Sequence, residues 1–455
     1  MIRASSERRR AGTVSLLQGL GVRNRWDFVI FLVILGYAIA ILALMIGALA
    51  RDFGLIPFVG ESGRPVVLNL TPVTIVLTVI IFSLAILWLS FGLISLRFTP
   101  RILDPNSIEI LSPTVSVLIP AHNEETVVRD LVRDLLAQDY PHLQVLVLAH
   151  NCTDATARSL EDMQDPRLQV LELRTMESGK ALALNLGLSK ASGDMIAQFD
   201  ADNRLPDTQL IRRAVAYFLA EPATDVIQGQ IETKNEGATL LTRLQAVEYR
   251  IFSYLFWGGR NAVHLPCPIA GTGVFFRRAI LERVGGWENE LVEDYDLYCK
   301  LVLAGASIEY KPDIVALDEK PPSWRLLLRQ RSRWQRGHME VLAKRWKTWM
   351  GLSDMMYLAA PVANGAWYAS TIITILYHVL PWSFTYWYPP AILWVSLWIA
   401  AYATMAAILI RTGHTRDLRY LPAFYIFGFH WLVAFLLAFR VKGWSSSKTP
   451  HGFPG

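Results

Sequence analysis

Two aspartates, Asp200 and Asp202 in QFDADN, close a short apolar run. If the backbone stays extended there, both carboxylates project to one side of the strand end. Hard oxygen ligands in that position suit Mg2+ or Mn2+, which keep several waters and bridge one or two carboxylates to a substrate diphosphate. The same residues also fit a turn whose acidic side chains cap the helix near Pro206. Other chemistry-bearing groups stand in comparable places. Asp154, in HNCTDAT, follows the run LQVLVLA, where Thr153 or Asp154 serves equally well as an N-cap. A metal cluster of His150, Cys152 and Asp154 would lack a fourth ligand. Gly179 and Lys180 in ESGKALALNLGL open a helix, where free N–H groups and an ammonium meet a phosphate. Gly271, Thr272 and Gly273 in IAGTGVFFRR permit close backbone approach to a ligand, or simply a turn. Glu293 and Asp294 begin the helix of LVEDYDLYCKLVLAG, where they complement its dipole. A carboxylate at a cleft edge also takes a proton from a hydroxyl.

Such groups act together only if a scaffold gathers them. From Thr114 to Asp318, runs such as TVSVLIP, LQVLVLA, LQVLEL, DMIAQFD and DVIQGQI alternate with amphipathic helices. That alternation implies a mostly parallel sheet, whose ligand lies beyond the carboxyl ends of the strands. Farther on, RLLLRQRSRWQRGHMEVLAKRW reads as one helix. Gln330, Arg333 and Trp334 then share a face at i, i+3 and i+4. Leu327, Leu328, Met339, Leu342 and Trp346 are expected to dip into a membrane surface. An interfacial anchor explains the charge of this helix but not the grouping of Gln, Arg and Trp.

The chain has 455 residues, 53% of them hydrophobic, with 15 tryptophans and a mean hydropathy of +0.30. This points to an integral membrane protein. The net charge is only +5, and the basic clusters flank apolar runs, so no nucleic-acid partner is expected. Cys152, Cys267 and Cys299 have no disulfide or zinc spacing. Apolar runs from Asp27 to Ala50 and Pro72 to Leu96 are long enough to span, and no cleaved signal peptide is expected. Arg8, Arg9, Arg10, Arg23, Arg25, Arg97 and Arg101 place both flanks, and hence the middle of the chain, in the cytoplasm. Three more stretches follow, roughly Met355 to Leu380, Pro390 to Ile410 and Leu421 to Phe439. Counting spans puts the C-terminus outside, whereas Arg440, Lys442 and Lys448 favour the cytoplasm. One interfacial or re-entrant stretch would reconcile the two.

Taken in order, Asp154, the DAD of Asp200 and Asp202, the VED of Glu293 and Asp294, and the QRSRW of Gln330, Arg333 and Trp334 resemble the D, DxD, (E)D, QxxRW signature of membrane-embedded family 2 glycosyltransferases. That group holds the cellulose, hyaluronan and poly-N-acetylglucosamine synthases. The resemblance implies an α/β GT-A type cytoplasmic domain, mostly parallel, inserted between transmembrane α-helices. It divides the chain into a basic N-terminus (1–26), two transmembrane helices (27–96), the GT-A domain (97–322), an interfacial helix region (323–354), three apolar membrane segments (355–440) and a polar tail (441–455). It also assigns roles. His122 and Glu124 line the uracil end of the donor pocket, with a histidine where many relatives carry tyrosine. Asp154 and Asp200 hold the uridine, Lys180, Gln330 and Arg333 the diphosphate, and Asp202, with Asp200, a Mg2+ or Mn2+ ion. Asp294 is the general base, with Glu293 beside it, and Trp334 with Gly271, Thr272 and Gly273 borders the acceptor. The implied reaction is inverting transfer from a UDP-sugar to a growing β-linked polysaccharide at the cell membrane, coupled to membrane passage and served by envelope export partners. The alternatives are single-sugar transfer to a lipid and, remotely, a nucleotide-binding transporter or scaffold. The tail GWSSSKTPHG loosely resembles the gating segments of these synthases or is a disordered tail, and no appended cyclic-dinucleotide-sensing barrel is expected.

Overall fold

The structure, a computed structural model, describes residues 66–105, 113–345, 383–385 and 391–443, with scattered positions between 361 and 376. The basic N-terminus, the expected first span, most of the stretch from Met355 to Leu380 and the tail beyond 443 lie outside the described residues. Helix α1 (Thr71–Ser95) precedes the central domain. That domain starts with β1 (Val115–Ala121), α2 (Val128–Leu136), β2 (Leu143–His150), β3 (Leu168–Leu173), α3 (Lys180–Lys190) and β4 (Met195–Gln198). It continues through α4 (Leu210–Ala220), β5 (Val226–Thr233), α5 (Leu240–Phe252), β6 (Val274–Arg277), α6 (Arg278–Val284), α7 (Glu293–Leu303) and β7 (Ile308–Asp318). Helices α8 (Trp324–Lys344), α9 (Ala391–Arg411), α10 (Leu421–Phe427) and α11 (Phe429–Ala438) follow.

The seven strands of the domain lie in the order β3-β2-β1-β4-β6-β5-β7. Strands β1 to β4 pair in parallel, and so do β5 and β7. Strand β6 runs antiparallel to both β4 and β5, making the sheet mixed. Side chains alternate across it. Val117, Ile119, Val145 and Val147 face helices α2 and α4, while Leu118, Leu146, Leu148 and Ile196 face α3 and α7. Each such aliphatic side chain contributes about 1.5–3 kcal/mol on burial. Helix α2 buries Val128, Leu131, Val132 and Leu135, the i, i+3, i+4, i+7 stripe of an amphipathic helix. Helix α3 lies close on the sheet because Gly187 faces it: a Cβ there would stand 2.6 Å from Leu148 Cδ1. This close seat sets Lys180, the first residue of α3, beyond the carboxyl ends of β1 and β4.

Among the described residues, two helices are long and apolar enough to cross a membrane, Pro72–Ser95 within α1 and Ile392–Arg411 within α9. They pack through Phe82 and Trp394, edge to face at 5.0 Å. Arg411 at the end of α9 donates to Tyr254 Oη at 2.7 Å and to the Phe98 carbonyl at 2.9 Å, fastening that helix to the central domain. The third expected stretch, Leu421 to Phe439, is no single straight span. A helical segment that starts before it, Thr415–Phe424, meets Phe429–Ala438 at 59°, the geometry of a broken span or a re-entrant loop. Helix α8 corrects a second expectation. Leu327 packs against α5 and the α9–α10 region and Leu342 enters the core beneath α7, so neither dips into lipid. Trp346 lies outside the described residues.

Candidate active site

The ends of β1, β2, β4 and β7, the starts of α3 and α7, and one face of α8 line a single cavity of about 660 Å³. Lys180 is its electrostatic centre. The ammonium lies 2.6 Å from Asp200 Oδ1 and 3.1 Å from Glu293 Oε1, and it donates to the Gly271 carbonyl at 3.0 Å. Burial alone would lower its pKa, but the carboxylates of Asp200, Glu293 and Asp294 raise it, so the lysine stays charged. One cation thus ties the DAD segment to the VED segment.

Asp200 leaves 36% of its side-chain surface accessible, and it lines the cavity. Its pKa is pushed up to about 6, by burial first; Lys180 opposes the rise, and the charges of Asp202 and Asp318 add to it. Asp202 and Asp318 thus repel Asp200, and a divalent cation among them would relieve that repulsion. An all-oxygen donor set fits Mg2+ or Mn2+ and not zinc. The backbone turns at 201–202, yet Asp202 still lines the same cavity and is buried. Asp200 N–H donates to Thr272 Oγ1 at 2.9 Å, and Thr272 in turn donates to Asn203. The GTG segment therefore braces the acidic turn.

At the other end of Lys180, Asp294 occupies the first turn of α7, where Oδ1 accepts from the Tyr295 N–H at 2.8 Å. Its pKa is pushed up to about 7, by burial first and then by the charge of Glu293, against Lys180 and Arg333. A carboxylate with its pKa raised this far can take up a proton near neutral pH. Gly271 sits against it at φ +69°, and a Cβ there would stand 2.9 Å from Asp294 Oδ2. Gly271→Ala is expected to lower turnover and the melting temperature together, because a left-handed alanine costs about 1–2 kcal/mol and crowds the Asp294 carboxylate. A thermal melt beside an activity assay checks this.

Gln330, Arg333 and Trp334 all face the cavity, as the i, i+3, i+4 spacing implies. Arg333 donates to the Leu291 carbonyl at 2.9 Å. Burial lowers its pKa, and the charges of Glu293, Asp294 and Asp200 work the other way. His122 and Glu124 line the far end, with His122 Nδ1 donating to the His150 carbonyl at 2.8 Å. Asp154 is placed differently. It caps its own turn, accepting from Thr156 N–H at 3.0 Å and from Glu125 N–H at 3.2 Å, and it does not line the cavity. Of the GTG residues, Thr272 lines the cavity while Gly271 and Gly273 act through backbone. Gly273, at φ +60°, forms the turn into β6.

Several lining residues escaped the sequence reading: Glu248, Asp318, Glu319, Arg331 and His338. Asp318 was findable, since it closes β7 as Asp200 follows β4. Its carboxylate accepts from Lys320 Nζ at 2.6 Å. Among the described residues, one close trio of possible metal ligands exists, Glu288, Glu290 and Asp296. Lys344 lies 2.5 Å from Glu288 and from Glu290, and Arg345 2.5 Å from Asp296, so cations already neutralise it.

Comparison with known proteins gives the same outline. The family described as glycosyltransferase like family 2 matches residues 113–337. A probable glycosyltransferase of Bacillus subtilis, YdaM, is 32% identical over 239 residues, 51% of this chain and 57% of that one. The beta-monoglucosyldiacylglycerol synthase of Synechocystis is 31% identical over 254 residues, 54% and 52% of the two chains. The poly-beta-1,6-N-acetyl-D-glucosamine synthase of Staphylococcus epidermidis is 27% identical over 234 residues, 50% and 56%. The chain thus spans about half the length of the curated relatives it matches. Among solved structures, a mannosyltransferase of Pyrobaculum calidifontis in complex with GDP-Man and Mn2+ shares the fold, with a TM-score of 0.57 at 22% identity over 80% of this chain and 98% of that one.

Proposed function

We propose that the region 113–337, which matches the glycosyltransferase like family 2 model, transfers one hexose from a UDP-sugar, with inversion, to the hydroxyl of an acceptor reaching the cavity from the membrane side. The observation that carries this reading is the convergence of Lys180, Asp200, Glu293, Asp294 and Arg333 on one cavity. His122 and Glu124 take the base end of the donor, with Asp154 ordering the turn beside them. Lys180, Gln330 and Arg333 hold the diphosphate. Asp202, with Asp200 and Asp318, would hold Mg2+ or Mn2+, which when bound neutralises charge on the departing diphosphate. Asp294 accepts the proton of the acceptor hydroxyl. The oxygen forms its bond to the anomeric carbon as the bond to the diphosphate breaks, and UDP leaves with its charge set against Lys180 and Arg333. The approach is from the face opposite the leaving group, which gives a β-product. Trp334 offers the acceptor an indole face.

The pH dependence follows from the base. Only ionised Asp294 takes a proton, so kcat/KM is expected to be full above about pH 7 and to fall as the pH drops through that value. Initial rates across pH at subsaturating acceptor check it.

The acceptor class follows from the half of the cavity nearest α1 and α9. Beyond Trp334 the wall is made by Ile81, Leu84 and Leu89 of α1 and Leu397 and Met405 of α9. Of the polar groups that could mark a glycan path, His430 is buried against the Phe427 carbonyl, and Tyr368 stacks edge-on to Phe429 at 4.7 Å. Neither lines the cavity, and Asn364 and His378 lie outside the described residues. An apolar wall continuous with membrane-length helices favours a lipid hydroxyl, such as that of a diacylglycerol. A second reading, chain growth into a polysaccharide delivered through the spans, is favoured by Trp88, Trp398 and Trp431, whose rings also line the wall. Purified protein supplied with UDP-hexoses and dioleoylglycerol separates them: a single glycolipid spot supports the lipid acceptor, and a ladder of lengthening glycans supports the polymer.

A further inference from the structure

Behind Trp334 lies a buried charge pair that the transfer reaction does not use. Arg331 on α8 and Glu248 on α5 are 3% and 2% exposed, and Arg331 Nη2 donates to Glu248 Oε2 at 2.6 Å. The other carboxylate oxygen, Oε1, accepts from the Trp431 indole N–H on α11 at 2.7 Å. The Arg331 guanidinium lies over two indole rings, its central carbon 4.5 Å from the Trp334 ring centroid and 4.6 Å from that of Trp431. Glu248, Arg331, Trp334 and Trp431 all line the catalytic cavity.

A buried ion pair is a weak source of stability, since desolvation offsets the attraction. What it supplies is direction. A planar guanidinium with one nitrogen tied to a carboxylate cannot rotate freely, and each stacked ring inherits its plane. The indole N–H bond to Glu248 fixes Trp431 in the same way. The stack therefore passes orientation from α11, in the bent helix pair, to Trp334.

We propose that Glu248, Arg331 and Trp431 form a positioning unit that sets the plane of Trp334, so that the bent α10–α11 pair shapes the acceptor end of the cavity. The functional part of this inference rests on the reading of Trp334 as the acceptor platform; the positioning part does not.

The test uses the full chain labelled with 5-fluorotryptophan in phosphatidylcholine nanodiscs. The Trp334 fluorine resonance is assigned by its loss in Trp334→Phe. Glu248→Gln and Trp431→Leu are expected to shift or split that resonance, and Trp431→Phe, which keeps a stacked ring, to shift it less. With UDP-glucose and 1,2-dioleoylglycerol as probes, Trp431→Leu is expected to raise the dioleoylglycerol KM about threefold to tenfold, the loss of one aromatic stack. The UDP-glucose KM and kcat stay as they were. If Glu248→Gln or Trp431→Leu does not fold, Trp431→Phe still reports through the resonance. An unmoved Trp334 resonance in the folded variants overturns the proposal, and so does a lowered melting temperature with the resonance unchanged. If the resonance responds but Trp334→Phe leaves the dioleoylglycerol KM unchanged, positioning is upheld and the platform reading falls.

Discussion

Asp294→Asn is expected to lower kcat by about three orders of magnitude while leaving UDP affinity close to that of the wild type. The amide is isosteric and still accepts from the Tyr295 N–H, so the first turn of α7 keeps its shape. What it loses is the ability to take a proton. Diphosphate binding rests on Lys180 and Arg333, which the substitution leaves in place, and removing a charge beside Glu293 relieves repulsion in the pair. Glu293 is the control. Its carboxylate is committed to Lys180 at 3.1 Å, so Glu293→Gln should act mainly by loosening that lysine and should cost less than the loss of Asp294. Single-turnover rates beside UDP titrations separate the two effects. A variant that turns over like the wild type would place the base elsewhere.

Lys180→Met is expected to cost about two to three orders of magnitude in kcat/KM, with much of the loss in donor KM. Methionine keeps most of the length of the side chain, but removes the cation between Asp200 and Glu293. The diphosphate then meets carboxylates with no lysine among them. A pH signature should accompany the loss. Lys180 holds down the pKa of both Asp200 and Asp294, so without it the acidic limb of the rate profile should move to higher pH. A loss of activity with an unmoved limb would mean that Lys180 binds donor without tuning the base.

The sequence reached the centre of this site because its signals are local. Gln330, Arg333 and Trp334 share a face wherever a helix forms, and Asp200 and Asp202 sit at a strand end whatever the topology. The strand-end rule also pointed at Asp318, but β7 was not recognised as a strand of its own, so its terminal carboxylate went unnoticed. Asp154 shows the opposite limit. Its position after β2 is right, yet short-range bonds to Thr156 and Glu125 turn it into a cap, a competition that spacing cannot decide. The antiparallel insertion of β6 depends on pairings with β4 and β5, some 50 to 80 residues apart in the chain. Leu327 and Leu342 read as lipid-facing because an amphipathic stripe does not say what covers it, and here α5 and α7 do. The Glu248–Arg331 pair joins residues 83 positions apart, and neither carries a local pattern.

The central claim is that Asp294 drives one inverting displacement on a nucleotide-sugar held in this cavity. The most direct measurement is the anomeric configuration of the first product, read by NMR from UDP-[1-13C]hexose, Mn2+ or Mg2+ and dioleoylglycerol nanodiscs. The account predicts a β-linked hexose with one UDP released per sugar transferred. An α-linked product, or UDP-hexoses left intact by the wild-type protein, would contradict it.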